Sequence, residues 1–89
     1  MSYQIEVSRE AKDEILGLPG HIRAQARQLI KELGQNPVPP RAKELQGKPN
    51  IYRIWLAGNW RIAYEVDRNA QRIRILRVRE KRHIDYKSL

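Results

Sequence analysis

Residues 51–66 of this chain read IYRIWLAGNWRIAYEV. Apolar and cationic side chains alternate on both sides of a turn at Ala57-Gly58-Asn59, a pattern typical of two β-strands that form a hairpin. Arg53, Trp55 and Arg61 share one parity, so two arginines and an indole point to the same face. The opposite parity places a set of apolar side chains over a core: Tyr52, Ile54, Leu56, Ile62, Tyr64 and Val66.

The register of this hairpin follows from the same alternation. Residues that lie directly opposite each other in an antiparallel pair point to the same face. A three-residue loop pairs Leu56 with Trp60 and Trp55 with Arg61, which keeps both faces consistent. A two-residue loop would set Leu56 against Arg61 and put a charge into the apolar row. We therefore predict the three-residue loop. Guanidinium groups and an indole on one face suit a polyanion with exposed bases.

The chain is short and contains no cysteine. Its 89 residues suffice for one modest core, so we predict a single domain over residues 1–89. The absence of cysteine excludes disulfides and thiolate chemistry and fits a reducing compartment, for which the cytoplasm is the default. No apolar segment approaches the roughly 20 residues that span a bilayer, so we expect no membrane partner. His21 and His83 stand far apart, and no glycine-rich loop opens a helix, so we expect neither a metal nor a cofactor.

The positive charge is concentrated in the second part of the chain. Residues 1–34 hold five basic and five acidic side chains, whereas residues 35–89 hold thirteen basic and five acidic ones, so this part carries the whole net charge of +8. A charge run can be a solvated face without function, but aromatic residues beside this one favour a nucleic-acid surface. The densest run is opposed locally only by Glu80 and consists of Arg72, Arg74, Arg77, Arg79, Lys81 and Arg82.

Two helices are predicted before the hairpin. Residues 3–7 alternate as a short strand, and Ser8 then stands at the N-cap position of a helix that residues 17–20 bring to an end. A second helix follows, and Gly34 is placed to end it.

The segments around the hairpin are less regular. Residues 35–50 hold four of the five prolines, so we expect an irregular, exposed connection. A further strand covers residues 71–78, where the apolar parity shifts. Either a bulge intervenes there, or the strand is central and covered on both sides. Residues 81–89 form a tail that is predicted to end in a helical turn.

These parts, in this order, resemble a known protein family. Four motifs carry the resemblance: Lys43-Glu44-Leu45-Gln46-Gly47, Tyr52-Arg53-Ile54, Gly58-Asn59-Trp60-Arg61-Ile62-Ala63-Tyr64 and Arg82-His83-Ile84-Asp85-Tyr86. Over essentially the whole chain they resemble the RelE/ParE superfamily of type II toxins. The resemblance implies an α+β RelE-like fold, with two N-terminal helices packed on a three- to four-stranded, mainly antiparallel sheet and a short C-terminal helical tail. It also implies a metal-independent endoribonuclease that cleaves translated mRNA in the A site of the 30S ribosome and is held off by a cognate antitoxin.

The resemblance also assigns roles to residues. Arg53 and Arg61 match the phosphate-binding cations of the two hairpin strands, Lys81 or Arg82 matches the basic group after the last strand, and Tyr86 matches the C-terminal tyrosine. We therefore predict Arg61, Lys81, Arg82 and Tyr86 as catalytic residues. The predicted RNA-binding residues are Arg53, Trp55, Arg77, Arg79 and Lys43. RelE itself carries a lysine where this chain has Trp55, and many relatives have Gly-His-Arg where it has Glu80-Lys81-Arg82, so the general base and the choice between Lys81 and Arg82 stay open.

The chemistry that these residues would perform needs no protein nucleophile. RNA supplies its own 2′-hydroxyl, and attack on the adjacent phosphorus leaves a 2′,3′-cyclic phosphate and a 5′-hydroxyl. Arg61 and Arg53 would stabilise the charge that grows on the non-bridging oxygens. Lys81 is a better proton donor to the leaving oxygen than Arg82, because an arginine side chain hardly deprotonates. Tyr86 would stack on a base, or act as a base if nearby cations lower its pKa.

Other interpretations of the same residues stay open. Trp55 can be a partial core residue, Tyr86 can close the core, and the tail cations can serve only to attract a polyanion. A ParE-like inhibitor of DNA gyrase and an inactive RNA-binding module are the alternative functions. Retention of Arg53, Arg61, a tail cation and Tyr86 favours the nuclease, whereas Trp55 argues mildly against it.

Overall fold

The computed structural model describes residues 2–89 and contains two helices and a five-stranded sheet. In chain order the elements are β1 (Gln4–Val7), α1 (Arg9–Leu16), α2 (Gly20–Gln35), β2 (Lys43–Glu44), β3 (Ile51–Leu56), β4 (Trp60–Asp67) and β5 (Arg72–Glu80), followed by the short 3₁₀ turns Lys81–His83 and Tyr86–Ser88. The α+β class, the two N-terminal helices and the helical turns of the tail are confirmed. Neither helix within the described residues is long and apolar enough to cross a membrane.

The sheet has the strand order β1-β5-β4-β3-β2. Strands β2 to β5 pair antiparallel with their neighbours, whereas β1 pairs parallel with β5. The predicted count of three to four strands was therefore too low. The strand that was not foreseen is β2, which has only two residues and lies within the connection that we expected to be irregular. Its pairing with β3 extends the sheet beyond the hairpin.

The hairpin forms in the predicted register. Leu56 lies opposite Trp60, Trp55 opposite Arg61 and Tyr52 opposite Tyr64. Two of the three loop residues take positive φ, with Ala57 at 48° and Gly58 at 74°. A left-handed conformation of this kind is what a three-residue hairpin loop requires.

Two causes were considered for the shift of apolar parity in β5, a bulge and a central position in the sheet, and both are present. A register irregularity lies between Ala63 and Tyr64, where β5 contributes Arg77 and then Ile75, so Leu76 is the extra residue of a bulge. The strand is also central, with β1 on one side and β4 on the other. Because the bulge resets the alternation, Val78 returns to the same buried core as Ile75.

Both helices cover the apolar face of the sheet. Helix α1 begins as predicted, since the Ser8 hydroxyl accepts a hydrogen bond from the Ala11 N–H at 3.1 Å. Helix α2 continues to Gln35, so Gly34 does not end it. A Cβ on Gly34 would lie 3.1 Å from Ile5 Cδ1, and the Gly34 carbonyl accepts from the Tyr3 N–H. The glycine thus allows α2 to approach the chain at β1.

Tyr64 is fully buried at the centre of the core. Its ring stacks on Tyr52 with 5.7 Å between ring centroids, and its hydroxyl donates to the Pro37 carbonyl at 2.7 Å. Burial, assisted by the neighbouring Tyr52, raises the pKa of Tyr64 far above its ordinary value. The folded state therefore strongly favours the neutral phenol.

We expect this burial to make the protein less stable in alkali. Below about pH 10 the Tyr64 phenol is neutral in both the folded and the unfolded chain, so it adds no pH dependence. Above that pH only the unfolded chain ionises it, and the free energy of unfolding should fall by up to about 1.4 kcal/mol per pH unit. Urea denaturation of wild type and Tyr64→Phe between pH 9 and about 11 measures this term. Equal slopes for the two proteins would contradict it.

Candidate functional site

The sheet face opposite the helices collects basic side chains from four strands. Arg61 lies opposite Trp55 on one side and opposite Arg79 on the other, and Lys43 lies opposite Arg53. Opposite residues share a face, and Arg61 alternates with the core residue Ile62, so this row points away from the core. We call it the cationic face; its members are Lys43, Arg53, Trp55, Arg61, Arg77 and Arg79.

Arg61 lies on this face but is buried, which the sequence did not predict. It is only 3% exposed. Its Nη1 donates to the Gly58 carbonyl at 2.6 Å and to the Trp60 carbonyl at 2.7 Å, so the guanidinium folds back onto the hairpin turn. Its Nε is buried and has no hydrogen-bond partner among the described residues. Arg61 therefore lies on the predicted face of the sheet, but its guanidinium is not exposed there.

Trp55 covers the Arg61 guanidinium from the outside. The Arg61 Cζ lies 4.8 Å from the centroid of the indole ring, which is the geometry of a cation–π contact. The Trp55 residue itself is 55% exposed. Trp55 is therefore a surface residue and not a partial core residue.

Arg77 and Arg79 are held by helix α1. The Arg77 Nη2 lies 2.7 Å from Glu14 Oε2 and its Nε 3.1 Å from the same oxygen, while the Arg79 Nε lies 3.4 Å away. Glu14 also accepts from the Val78 main-chain N–H at 2.8 Å. The hydrogen bond to Glu14 raises the pKa of Arg77 above its ordinary value. Two of the predicted RNA-binding cations are thus partly neutralised by one carboxylate.

Lys81 and Arg82 stand where β5 gives way to the tail. Both are exposed, and together with Asn59 and Glu80 they line an open cleft of about 520 Å³. The Lys81 N–H donates to the Asn59 carbonyl at 2.8 Å, which ties the tail to the hairpin turn. The Arg82 Nε lies 3.3 Å from Glu80 Oε2. Among the described residues Lys81 has no ion pair, so its ammonium is the freer of the two tail cations.

The tail then crosses the sheet face towards β3. The Arg53 Cζ lies 6.0 Å from the centroid of the Tyr86 ring, and the Lys48 Nζ donates to the Leu89 carbonyl at 2.6 Å. The Tyr86 hydroxyl is buried and has no hydrogen-bond partner within residues 2–89. The structure thus brings Tyr86 together with Arg53, while Lys81 and Arg82 lie at the hairpin turn.

Two residues that shape the cationic face were missed in the sequence. Glu14 is one of several acidic residues in a helix with a charge-neutral outer face, and Lys48 lies in a connection with no regular pattern. Glu14 meets Arg77 only because β1 pairs with β5 and carries α1 beside it. Neither residue carries a local signal, because both contacts bridge distant parts of the chain.

Solved structures share this fold. The isolated Escherichia coli RelE toxin matches with a TM-score of 0.81 at 23% identity, covering 98% of this chain and 93% of that chain. RelE in the archaeal RelE–RelB complex of Pyrococcus horikoshii matches with a TM-score of 0.81 at 22% identity over 94% and 100%. The RelB–RelE complex of Methanococcus jannaschii matches with a TM-score of 0.69 at 28% identity over 86% and 91%. These likenesses define a RelE-like fold.

The sequence itself matches a family model. Residues 5–84 match the family described as ParE toxin of type II toxin–antitoxin system, parDE. The chain therefore belongs to this family, and it is a type II toxin of the RelE/ParE superfamily. A search of curated protein sequences returned no match.

Proposed function

We propose that this toxin is a ribosome-dependent endoribonuclease that cleaves translated mRNA in the A site. The observation that carries the proposal is the cationic face, on which basic side chains of four strands lie beside Tyr86. A row of guanidinium groups with aromatic rings binds a single-stranded polyanion, because cations contact phosphates and rings stack on bases. The net charge of +8 also favours binding to a polyanion.

The burial of Arg61 redistributes the proposed catalytic roles. Arg53 is half-exposed and contacts the phosphate through its guanidinium, while Lys81 protonates the leaving 5′-oxygen. Arg61, whose Nη1 is already engaged by two carbonyls, adds positive potential and holds the hairpin turn and Trp55 in place. Tyr86 stacks on a base, and Arg82 attracts the strand. The 2′-hydroxyl of the RNA is the nucleophile: its oxygen bonds to phosphorus as the bond to the 5′-oxygen breaks, and its proton passes to water.

We further propose a cognate antitoxin that covers the cationic face. The E. coli, P. horikoshii and Mycobacterium tuberculosis relatives were solved as toxin–antitoxin complexes. An acidic segment of the antitoxin complements the excess charge of residues 35–89 and steers association. Such a partner competes with mRNA for Arg53 and Lys81.

The second candidate is inhibition of DNA gyrase. It is favoured by the description of the matching family as a ParE toxin and by the burial of Arg61, which removes one predicted phosphate contact from the surface. One experiment separates the two functions. Primer extension on a translated message after induction detects breaks inside codons for the nuclease, and a supercoiling assay with purified gyrase detects the inhibitor.

We expect Arg53→Ala to lower mRNA cleavage about 10- to 100-fold. This loss is smaller than the roughly 10²- to 10³-fold cost of removing an enclosed oxyanion donor, because Arg53 is half-exposed and other cations remain. The matched control is Arg27→Ala, which removes one exposed positive charge from α2 on the far side of the sheet. Primer extension should show wild-type breaks for the control. Equal loss in both variants would show that only net charge matters, and full cleavage by Arg53→Ala would remove Arg53 from the site.

A further inference from the structure

Beside the cationic face lies a groove that the proposed chemistry does not use. It runs between helix α2 and the end of β3 and has a volume of about 210 Å³. Trp55 borders it at the edge of the sheet together with four polar residues: Gln25, Gln28, Glu32 and Arg41. We propose that this groove binds one unstacked base of the RNA strand whose phosphates lie on the cationic face, an inference that rests on the proposed function.

The Trp55 indole is already prepared for stacking. One side of the ring is in contact with the Arg61 guanidinium at 4.8 Å, and Arg61 is fixed by its hydrogen bonds to the turn. The ring is therefore held in place before a ligand arrives, which reduces the entropy lost on binding. With 55% of the residue exposed, a base can stack on it and form a sandwich of base, indole and guanidinium.

The lining of the groove suits a base better than a protein segment. Leu29 and Leu56 border the groove but are only 5% and 2% exposed, so Trp55 is the one large apolar residue of the lining that is exposed. A partner helix needs a broad apolar stripe to bury, and the groove offers only one flat ring. The volume is also below the roughly 300 Å³ at which pockets for drug-sized ligands begin, as fits a single planar ring system.

The polar side chains around the indole can read the edge of a base. Gln25 and Gln28 each offer an amide that donates and accepts, Glu32 offers an acceptor, and Arg41 offers donors. The ion pairs within the described residues use other side chains, so Glu32 and Arg41 keep their charges for a ligand. Bases splayed out of a single strand are recognised by this combination of stacking and edge hydrogen bonds.

Tryptophan fluorescence tests the inference directly. The chain has two tryptophans, so Trp60→Phe leaves Trp55 as the only indole. The probe is a short single-stranded RNA that is 2′-O-methylated and so lacks the nucleophile; its matched control is the same sugar–phosphate strand without bases. We expect the base-bearing strand to quench Trp55 and to bind about tenfold more tightly than the abasic strand.

Two variants separate the groove from the cationic face. In gel-shift titrations, which need no tryptophan, Trp55→Ala should lower the advantage of the base-bearing strand to what stacking on Tyr86 alone provides, whereas Arg53→Ala should weaken both strands alike and leave their ratio unchanged. Equal binding of the two strands without quenching would overturn the base site and leave RNA binding by the cationic face intact. If neither strand binds in low salt, the proposed RNA-binding function fails together with the inference.

Discussion

Arg61→Ala is expected to lower the free energy of unfolding by about 3 kcal/mol. The substitution removes a side chain that is 3% exposed and frees the carbonyls of Gly58 and Trp60, which it now satisfies. Hydrogen bonds from a charged donor contribute about 1.5 to 3 kcal/mol, and the desolvated cation–π contact with Trp55 adds to this. Urea denaturation at neutral pH measures the change.

Two control variants show which property of Arg61 matters. Arg61→Met fills most of the volume and removes a buried charge, so it should cost less than alanine. Arg53→Ala removes an equal charge from a half-exposed position on the neighbouring strand and should stay within about 0.5 kcal/mol of wild type. A fully stable Arg61→Ala protein would show that the guanidinium does not support the turn.

Glu14→Ala should destabilise the protein by a similar amount, about 2 to 3 kcal/mol. Glu14 binds Arg77 through two donor atoms, contacts Arg79 and accepts from the Val78 N–H. Its side chain is 19% exposed, so the loss is expected below the roughly 3 to 5 kcal/mol of a fully buried pair that is left with one partner. The midpoint of urea unfolding should fall with an unchanged slope.

The charge and the hydrogen bonds of Glu14 can be separated. Glu14→Gln keeps an acceptor for the Val78 N–H but loses the charge, so its stability should lie between wild type and alanine. The matched control is Asp13→Ala, which removes one exposed carboxylate from the same helix and should change stability by less than about 0.5 kcal/mol. If Asp13→Ala and Glu14→Ala were equally destabilised, the loss of stability would come from the changed charge of the helix and not from the contacts of Glu14 with β5.

The features that the sequence predicted correctly are governed by near neighbours. The hairpin register follows from alternation within residues 51–66, because a one-residue slip would bury a charge. The start of α1 follows from one capping hydroxyl at Ser8. The bulge in β5 was visible as a shift in apolar parity, although parity alone left open whether the strand was also central.

The features that were missed depend on distant contacts or on what covers a face. The alternation of apolar and polar residues predicts the face on which Arg61 lies. It does not predict that Arg61 is buried, because the burial arises where the side chain folds back onto the hairpin turn. The sequence predicts that Gly34 ends helix α2, whereas in the structure Gly34 lies within the helix and allows close packing against Ile5. The two residues of β2 carry too little pattern to stand out from a proline-rich connection. For the site, the sequence could collect the cations of one face, but it could not show that Glu14 binds two of them.

The parallel pairing of β1 with β5 has a consequence for the order of events during synthesis. Ser8, directly after β1, contacts Leu76, which lies 68 positions later in the sequence. The first strand to be synthesised can therefore pair only after the last strand has been made. The hairpin of β3 and β4 can form from local contacts. Pairing of β1 with β5 closes a loop of nearly the whole chain and therefore costs more conformational entropy. Until β5 is made, Glu14 lacks Arg77 and the cationic face lacks Arg79. The complete cationic face therefore forms only after nearly the whole chain has been made.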